Sequence, residues 1–199
     1  MRYMILPYRF IGNVLNQKYF VLFFYINIII FSYFFIDKNL ALYFDKTGFF
    51  NNFFQTITFF GRSELYLLGS LSVLILYKKY KKVALSLFLS VLFSGLTVDI
   101  LKIVFGRYRP NLFLEKGLYG FDWFHIQHNF ISFPSGHAVT AFSAFAVLGH
   151  FFPKGKLIFW IIALLTAFSR VVLNAHYLSD VIAGVITGIF CSKFIIDKV

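Results

Sequence analysis

Residues 169–180 read SRVVLNAHYLSD, and they place Arg170, His176 and Asp180 between two long apolar runs. Each run is nearly long enough to cross the roughly 30 Å hydrocarbon core of a bilayer, which takes about 20 apolar residues. A charged side chain at the bilayer centre costs about 2.5 to 3.5 kcal/mol on insertion scales, so it needs a partner or a ligand. The stretch therefore indicates a turn between two membrane helices that carries a paired or functional polar cluster.

The composition of the whole chain is typical of a membrane protein. Hydrophobic residues make up 59% of the sequence and charged residues only 14%, against about 25% charged residues in soluble domains. The net charge is +11, but in a chain this apolar the cations are expected beside membrane spans, so nucleic acid is not an expected partner. The single cysteine, Cys191, excludes an internal disulfide, and no cluster of Cys and His has zinc spacing. No cofactor is expected.

Six apolar segments approach the length of a membrane span, which predicts an all-α, polytopic membrane fold with six transmembrane helices. These segments cover residues 19–36, 58–77, 83–105, 133–152, 157–174 and 177–196. The second segment is the weakest, because Arg62 and Glu64 interrupt it. The first is interpreted as a retained anchor, since no cleavage site of small residues follows it. No repeat or second domain is visible, so residues 1–199 are expected to form one domain.

The distribution of charge predicts the orientation of these spans. One side holds the N-terminus, KKYKK (78–82), PKGK (153–156) and the C-terminal end, and it carries 11 of the 19 Lys and Arg residues. The positive-inside rule makes this side cytoplasmic, so both termini are expected there. Residues 1–18 are basic and aromatic but contain Pro7, and they suit an interfacial helix as well as a disordered basic tail.

Three polar clusters reach the opposite, outward face of the membrane. The third span ends near Lys102 and GRYRP (106–110), and the fourth begins after FPSGH (133–137). The third cluster is the turn within 169–180, which joins the last two spans. Most of the polar residues that lie in or next to the predicted spans are therefore expected at one face of the membrane.

The residue types in these clusters suit the binding of phosphate. The clusters contain three basic residues, Lys102, Arg109 and Arg170, without a matching number of acidic residues. The planar fork of arginine is suited to phosphate oxygens. At the start of the fourth span, Ser135, Gly136 and His137 can direct backbone N–H groups at an anion along the helix dipole.

Two histidines and a carboxylate add reactive chemistry to this cradle. His176 and Asp180 are four residues apart, so on a helix they share one face. The carboxylate can accept a hydrogen bond from the ring and fix its tautomer, which leaves the other ring nitrogen as a nucleophile. His137, from another cluster, is then free to protonate a leaving oxygen.

These residues resemble the three signature motifs of the type 2 phosphatidic acid phosphatase superfamily. The first motif is matched by Lys102, six further residues and Arg109-Pro110, and the second by PSGH (134–137). The third is matched by Ser169-Arg170, five further residues and His176, with Asp180 four positions later. All motif positions match in order, and the six-helix layout extends the resemblance over almost the whole chain.

The resemblance implies a metal-independent phosphatase. In such enzymes the histidine at the position of His176 attacks phosphorus to form a phosphohistidine, and Asp180 orients it. His137 protonates the leaving group and then activates water. The residues implied to hold the phosphoryl oxygens are Lys102, Arg109, Ser135, Gly136 and Arg170.

The resemblance also implies a bacterial lipid phosphatase in the cytoplasmic (inner) membrane, with its site facing the periplasm. The candidate substrates are undecaprenyl diphosphate, phosphatidylglycerol phosphate, phosphatidic acid and lipid A phosphate, with a slight preference for lipid A and undecaprenyl diphosphate. Membrane lipids are the expected surroundings, and no obligate protein partner is indicated. Two other functions stay open: a lipid-to-lipid phosphotransferase, and a protein that binds or translocates lipid phosphates without turnover.

Two charged residues near the first motif are interpreted separately. Arg107 falls between motif positions, and we expect it to contact lipid headgroups. Asp99 precedes Lys102 by three residues, and we expect it to be the ion partner of that lysine within the helix.

Two further groups of residues have structural interpretations. Asp122, His125 and His128 have spacing that suits a metal, but a polar loop at the substrate entrance is the preferred interpretation. Gly184 and Gly188 form a small-xxx-small pattern, which predicts close helix packing.

Overall fold

The computed structural model describes residues 20–47 and 51–199, and their regular secondary structure is helical apart from one isolated bridge between Arg107 and Phe121. The longer helices of this described part are α1 Phe20–Thr47, α2 Asn51–Gly61, α3 Ser63–Leu76, α4 Lys81–Phe105, α5 Pro110–Lys116, α6 Gly136–Phe151, α7 Lys156–Val172 and α8 Leu178–Ile196. Short 3₁₀ helices at Lys78–Tyr80 and Pro153–Gly155 directly precede α4 and α7, and a third covers His128–Phe130. The predicted all-α fold is confirmed. The predicted interfacial segment 1–18 lies outside the described residues.

Several of these helices have the length and apolarity of membrane spans. Four pass on their own: Phe20–Thr47, Lys78–Phe105, Pro153–Val172 and Leu178–Ile196. α2 and α3 pass only as a pair, bent by 44°, and the extended residue between them is Arg62. α6 has 16 residues, fewer than the roughly 20 that a span needs. The described residues thus contain four or five candidate spans, and six remains a prediction.

Helix α1 continues well beyond residue 36, where the first predicted span stops. The prediction ended at the first charged residues, Asp37 and Lys38. In the structure a π-helical segment, Ser32–Ile36, precedes Asp37 without ending the helix. Asp37 is only 1% exposed, so its charge faces the protein interior and does not mark the membrane boundary.

Helix α6 forms the centre of the bundle, between α4, α7 and α8. Its inner positions are mostly small and fully buried, as at Ala138, Ala141 and Ala144. A Cβ added to Gly184 would lie 2.6 Å from the carbonyl oxygen of Ser135, and one added to Gly188 would lie 2.5 Å from that of Val139. These two glycines therefore let α8 touch the α6 backbone, as their spacing predicted.

The outer loop between α4 and α6 folds back over the end of the bundle. It starts at Gly106, whose φ of 53° is left-handed and whose added Cβ would lie 2.2 Å from the carbonyl oxygen of Asp122. Only glycine suits both conditions. Backbone hydrogen bonds from Asp122 N to Gly106 O (2.8 Å) and from Ser132 N to Arg107 O (2.9 Å) fix the loop. The loop thereby carries its arginines over the ends of α6 and α8.

Candidate active site

The structure brings the three predicted polar clusters together at one end of the bundle. A Cβ on Gly136 would lie 3.1 Å from Nζ of Lys102, which joins the first cluster to the second. The backbone N–H of Ser135 donates to the carbonyl oxygen of Asp180 at 3.0 Å, which joins the second to the third. Arg109 Nη1 donates to the carbonyl oxygen of Ala175 at 3.0 Å, so the outer loop also contacts the turn before α8.

His176 lies in the turn before α8 and not on the helix itself. It is 3% exposed, and its backbone N–H donates to the carbonyl oxygen of Arg170 at 3.1 Å. Nδ1 lies 2.8 Å from the carbonyl oxygen of Ser132 but 3.7 Å from Oδ2 of Asp180, which is too long for a hydrogen bond. The expectation that Asp180 accepts the ring hydrogen bond is therefore wrong, and Ser132 takes that role.

The contact with Ser132 decides the chemistry of the ring. A carbonyl oxygen only accepts, so Nδ1 carries the proton and Nε2 keeps its lone pair. The pKa of His176 is lowered to about 3, mainly by burial; Asp180 raises this pKa, and the nearby positive charges of Arg109 and Arg170 lower it. The ring is therefore neutral at physiological pH, as a nucleophile must be.

Asp180 organises the start of α8 and the loop above it. Its Oδ2 accepts from the backbone N–H of Tyr177 at 2.9 Å, within a capping box, and from Oγ of Ser132 at 2.6 Å. Its Oδ1 pairs with Nη1 of Arg107. Asp180 thus acts on His176 through Ser132, whose own carbonyl orients the ring.

The position of Arg107 between motif residues predicts a contact with lipid headgroups. This prediction is wrong, because Arg107 is buried inside the protein. Its side chain is 0% exposed and lies 2.8 Å from Asp37 through Nη2, in addition to its pair with Asp180. The guanidinium carbon also lies 4.5 Å from the centre of the Tyr177 ring and 5.0 Å from that of Tyr33. The loop folds this arginine inward, because two buried carboxylates and aromatic faces stabilise it there.

The three cations predicted to bind phosphate have no carboxylate partner among residues 20–47 and 51–199. Arg170 donates from Nη1 to Oγ1 of Thr58 at 2.7 Å, and its buried Nε has no partner in the same ranges. Arg109 donates from Nε to the carbonyl oxygen of His128 at 2.8 Å. Lys102 and Asp99 form no salt bridge in this part of the chain, so the predicted ion pair is wrong. These positive charges remain available to an anion.

The start of α6 adds neutral donors to these cations. Oγ of Ser135 is buried and lacks a hydrogen-bond partner in the described part of the chain. The N–H groups of Gly136 and His137 lie in the first helical turn, where no helix carbonyl can accept from them. The N–H of Ser135, by contrast, is occupied by Asp180. Only part of the predicted backbone cradle is therefore free, and the Ser135 hydroxyl extends it.

A cavity of about 850 Å³ adjoins part of this site and is bordered by α3, α4 and the start of α6. Lys102, Gly136 and His137 line its polar end. A limb between α3 and α4 is lined by Leu65, Leu68, Gly69, Ser72 and Gly95. A Cβ added to Gly69 or Gly95 would meet no atom within 4 Å, and Leu68 is 65% exposed. The limb is therefore open and mostly apolar, and it reaches the protein surface at Leu68.

Two side chains of the outer loop, Asp122 and His125, are in close contact. Nε2 of His125 lies 2.7 Å from Oδ2 of Asp122, and both side chains are partly exposed. His128 contributes its carbonyl oxygen to Arg109. Within residues 20–47 and 51–199, no group of three such side chains is arranged to hold a metal ion.

The chain belongs to the PAP2 superfamily, because the model of that family matches residues 83–198. The match contains all three motifs, so the family resemblance predicted from them is confirmed.

The motifs did not indicate two residues of the site, Ser132 and Asp37. Ser132 acts through its carbonyl, which any residue type supplies, and Asp37 lies far away in sequence, so no local pattern marks either residue.

Comparison with known proteins gives relatives that act on lipid phosphates. The chain is 42% identical over 106 residues to a lipid A 1-phosphatase of Rhizobium johnstonii, covering 53% of this chain and 43% of that protein. It is 29% identical over 122 residues to an undecaprenyl-diphosphatase of Sulfolobus acidocaldarius, covering 61% of this chain and 57% of that protein. The chain therefore spans about half the length of these curated relatives.

A solved structure shares the fold. The crystal structure of Aquifex aeolicus LpxE superposes with a TM-score of 0.67 at 23% identity, covering 82% of this chain and 96% of that one. At this identity the likeness concerns the fold alone. It extends the similarity beyond the residues that the family model matches.

Proposed function

We propose that this chain is an integral membrane lipid phosphatase that hydrolyses a phosphomonoester or diphosphate of a lipid through a phosphohistidine. One observation carries the proposal. Lys102, Arg109 and Arg170, which lack carboxylate partners in the described residues, lie at the same end of the bundle as a neutral histidine whose Nδ1 is held by Ser132. Such a site can bind a phosphate group through its cations and place the phosphorus near a neutral ring nitrogen.

In the first step, Nε2 of His176 attacks phosphorus and forms the N–P bond, while the bond from phosphorus to the leaving oxygen breaks. His137 gives its proton to that oxygen, so the lipid leaves as an alcohol or as a phosphate. The cations, the Ser135 hydroxyl and the Gly136 N–H hold the equatorial oxygens, where charge accumulates in phosphoryl transfer.

In the second step, His137 takes a proton from water and the oxygen of that water bonds to phosphorus. The N–P bond then breaks, inorganic phosphate forms, and the lone pair returns to Nε2 of His176. Three fixed cations supply the positive charge that a metal ion supplies in many other phosphoryl transfer enzymes, so we propose a metal-independent reaction.

The open limb of the cavity supports a lipid as the substrate. A phosphate at the polar end leaves the rest of the molecule facing Leu65 and Leu68, beside the surrounding lipid. Lipid A phosphate is the first candidate, because the Rhizobium relative is a lipid A 1-phosphatase. Undecaprenyl diphosphate is the second, because the Sulfolobus relative is an undecaprenyl-diphosphatase.

We further propose six spans in the inner membrane, with α2 and α3 together as one span and α6 as another. Both termini then lie in the cytoplasm, and the site faces the periplasm. The charge distribution supports this orientation, because the basic loops collect on the side away from the site. α6 is short for a span, but it is enclosed by other helices and does not need to match the bilayer alone.

The proposal is tested by phosphate release from purified protein in detergent. The panel contains lipid A, undecaprenyl diphosphate, phosphatidylglycerol phosphate and phosphatidic acid, each assayed with EDTA and without it. The wild type is expected to release phosphate in both conditions, and His176→Ala is expected to release none. Binding of a lipid without phosphate release would support a protein that binds or translocates lipid phosphates. A phosphorylated acceptor lipid among the products would support a phosphotransferase. Loss of phosphate release in EDTA, restored by a divalent ion, would refute the metal-free site.

A further inference from the structure

A buried ion cluster links the first helix to the candidate nucleophile. Its members are Asp37 on α1, Arg107 in the outer loop and Asp180 on α8, and all three side chains are 0% exposed. Nη2 of Arg107 lies 2.8 Å from Oδ2 of Asp37, and Nη1 pairs with Oδ1 of Asp180. A single guanidinium thus bridges two carboxylates.

Asp37 also holds the first turn of α8. Its Oδ1 accepts from the backbone N–H of Ser179 at 3.0 Å, and its Oδ2 accepts from the Ser179 hydroxyl. Ser32 completes the shell through its hydroxyl, 3.0 Å from Oδ1. Because Ser179 directly precedes Asp180, Asp37 fixes both the arginine that binds Asp180 and the backbone that carries it.

The charge of this cluster matters for the proposed reaction. Two carboxylates and one guanidinium leave one net negative charge, and because the three side chains are 0% exposed, bulk water does not reach them to screen it. When Nε2 of His176 bonds to phosphorus and Nδ1 keeps its proton, the ring becomes positive. Oδ2 of Asp180 lies 3.7 Å from Nδ1, so a net negative cluster stabilises that positive ring. Without Asp37, the charge of Arg107 would neutralise Asp180.

We propose that Asp37 is a positioning residue for the nucleophile. Acting through Arg107, it keeps Asp180 in place and keeps the cluster negative next to His176. The inference rests on the proposed phosphohistidine reaction. It assigns a role in that reaction to a helix outside residues 83–198, the range that the family model matches.

The test compares Asp37→Asn with Asp45→Asn, a matched change at an exposed position of the same helix. Binding of orthovanadate and of inorganic phosphate is measured by calorimetry in detergent, together with kcat/KM. Vanadate adopts the five-coordinate geometry of phosphoryl transfer and bonds to the attacking nitrogen, whereas phosphate contacts the cations and the neutral donors without bonding to that nitrogen. For Asp37→Asn we expect vanadate binding and kcat/KM to weaken about 10- to 100-fold and phosphate binding to change less than about 3-fold. Asp45→Asn should match the wild type.

A second variant separates the charge argument from general damage. Asp37→Asn/Arg107→Gln removes both charges of one pair and leaves Asp180 as the net negative charge. We expect it to bind vanadate more tightly than Asp37→Asn alone, and weaker binding than in the single variant would refute the charge argument. If the single variant does not fold, the double variant is compared with the wild type: a selective loss of vanadate affinity supports the positioning role of Asp37, and an equal loss of vanadate and phosphate affinity overturns it.

Two results would overturn the role of Asp37: wild-type vanadate binding, or an equal loss of vanadate and phosphate affinity. Vanadate binding requires no turnover. A wild type that releases no phosphate would therefore refute the proposed function, while the ratio of the two affinities would still decide the role of Asp37.

Discussion

Nδ1 of His176 donates to the carbonyl oxygen of Ser132 at 2.8 Å, so a loop backbone, and not a carboxylate, orients the candidate nucleophile. Asp180 reaches the ring through Ser132, because its Oδ2 accepts from the Ser132 hydroxyl at 2.6 Å. The arrangement resembles a triad in which the third group acts through a relay. Substitutions of Ser132 and of Asp180 are therefore expected to lower kcat by different amounts.

Ser132→Ala removes the bond to Asp180 but keeps the carbonyl that holds the ring. A hydrogen bond to a charged group contributes about 1.5 to 3 kcal/mol, so kcat should fall by about 10- to 100-fold. Asp180→Asn also removes the negative charge and should lower kcat by roughly 100-fold or more. Ser86→Ala is the control, because Ser86 is buried in α4 and its hydroxyl has no partner in the described residues. Equal losses in the two variants would mean that Asp180 acts on the ring wholly through the Ser132 hydroxyl, and they would contradict a separate contribution of its negative charge.

Lys102→Met should separate activity from stability. Lys102 has no salt bridge in the described part of the chain and lies near two arginines, so its charge does not stabilise the empty site. We expect the thermal unfolding temperature to stay the same or rise, while kcat/KM falls by about 10²- to 10³-fold. Lys116→Met, at an exposed position of α5, should change neither quantity. A clear loss of stability in Lys102→Met would show that the lysine has a structural partner.

Much of this site can be predicted from the sequence, because the motifs lie at helix ends and helix ends are determined locally. The predicted segment 177–196 is close to α8, Leu178–Ile196, and the segment 83–105 is close to α4, Lys81–Phe105. These runs are apolar and end at glycine or polar residues, so the boundaries follow from composition.

The contacts that determine the role of each charged residue could not be predicted in the same way. The first predicted span stops before the charged Asp37, and Arg107 is predicted to contact lipid headgroups because it falls between motif positions. They pair with one another over a large sequence separation, and such pairing depends on how the outer loop folds. Ser132 contributes a backbone carbonyl, for which residue type carries no signal.

The stability of the protein should depend on pH through His176. Its pKa lies near 6.5 in the unfolded chain and falls to about 3 in the folded protein because of burial. Between these values the unfolded state binds a proton that the folded state does not, so stability falls as pH falls from about 6.5 towards 3. Thermal unfolding in detergent should therefore show a shallower pH dependence for His176→Asn than for the wild type. Identical slopes would mean that the folded protein admits the proton.

The orientation in the membrane can be measured with single cysteines. Cys191 is buried, so Cys191→Ser gives a background without native thiols. Phe124 is 75% exposed in the outer loop, and Lys154 is exposed in the turn before α7. In spheroplasts an impermeant maleimide should label Phe124→Cys at once and Lys154→Cys only after lysis. The reverse pattern would invert the proposed topology.

Bulk added to the open limb of the cavity should discriminate between lipid and small substrates. Gly69 lies on α3, and a side chain there would meet no protein atom within 4 Å of its Cβ, so Gly69→Leu should fold and even gain helix propensity, by about 0.5 to 1 kcal/mol. The leucine would occupy the space proposed for the lipid. We expect the ratio of kcat/KM for a long-chain lipid phosphate to that for a water-soluble phosphomonoester to fall about 10-fold, with a smaller fall for Gly69→Ala.

The control for this limb is Leu71→Phe, which adds bulk to the same helix at a residue that does not line the cavity. It should leave the ratio of the two substrates as in the wild type. If Gly69→Leu lowered both activities equally, the added side chain would be disturbing the polar end, because a defect confined to the limb cannot affect a substrate without a tail. If it lowered neither, the lipid would enter by another path, and the space between α3 and α4 would have no part in binding it.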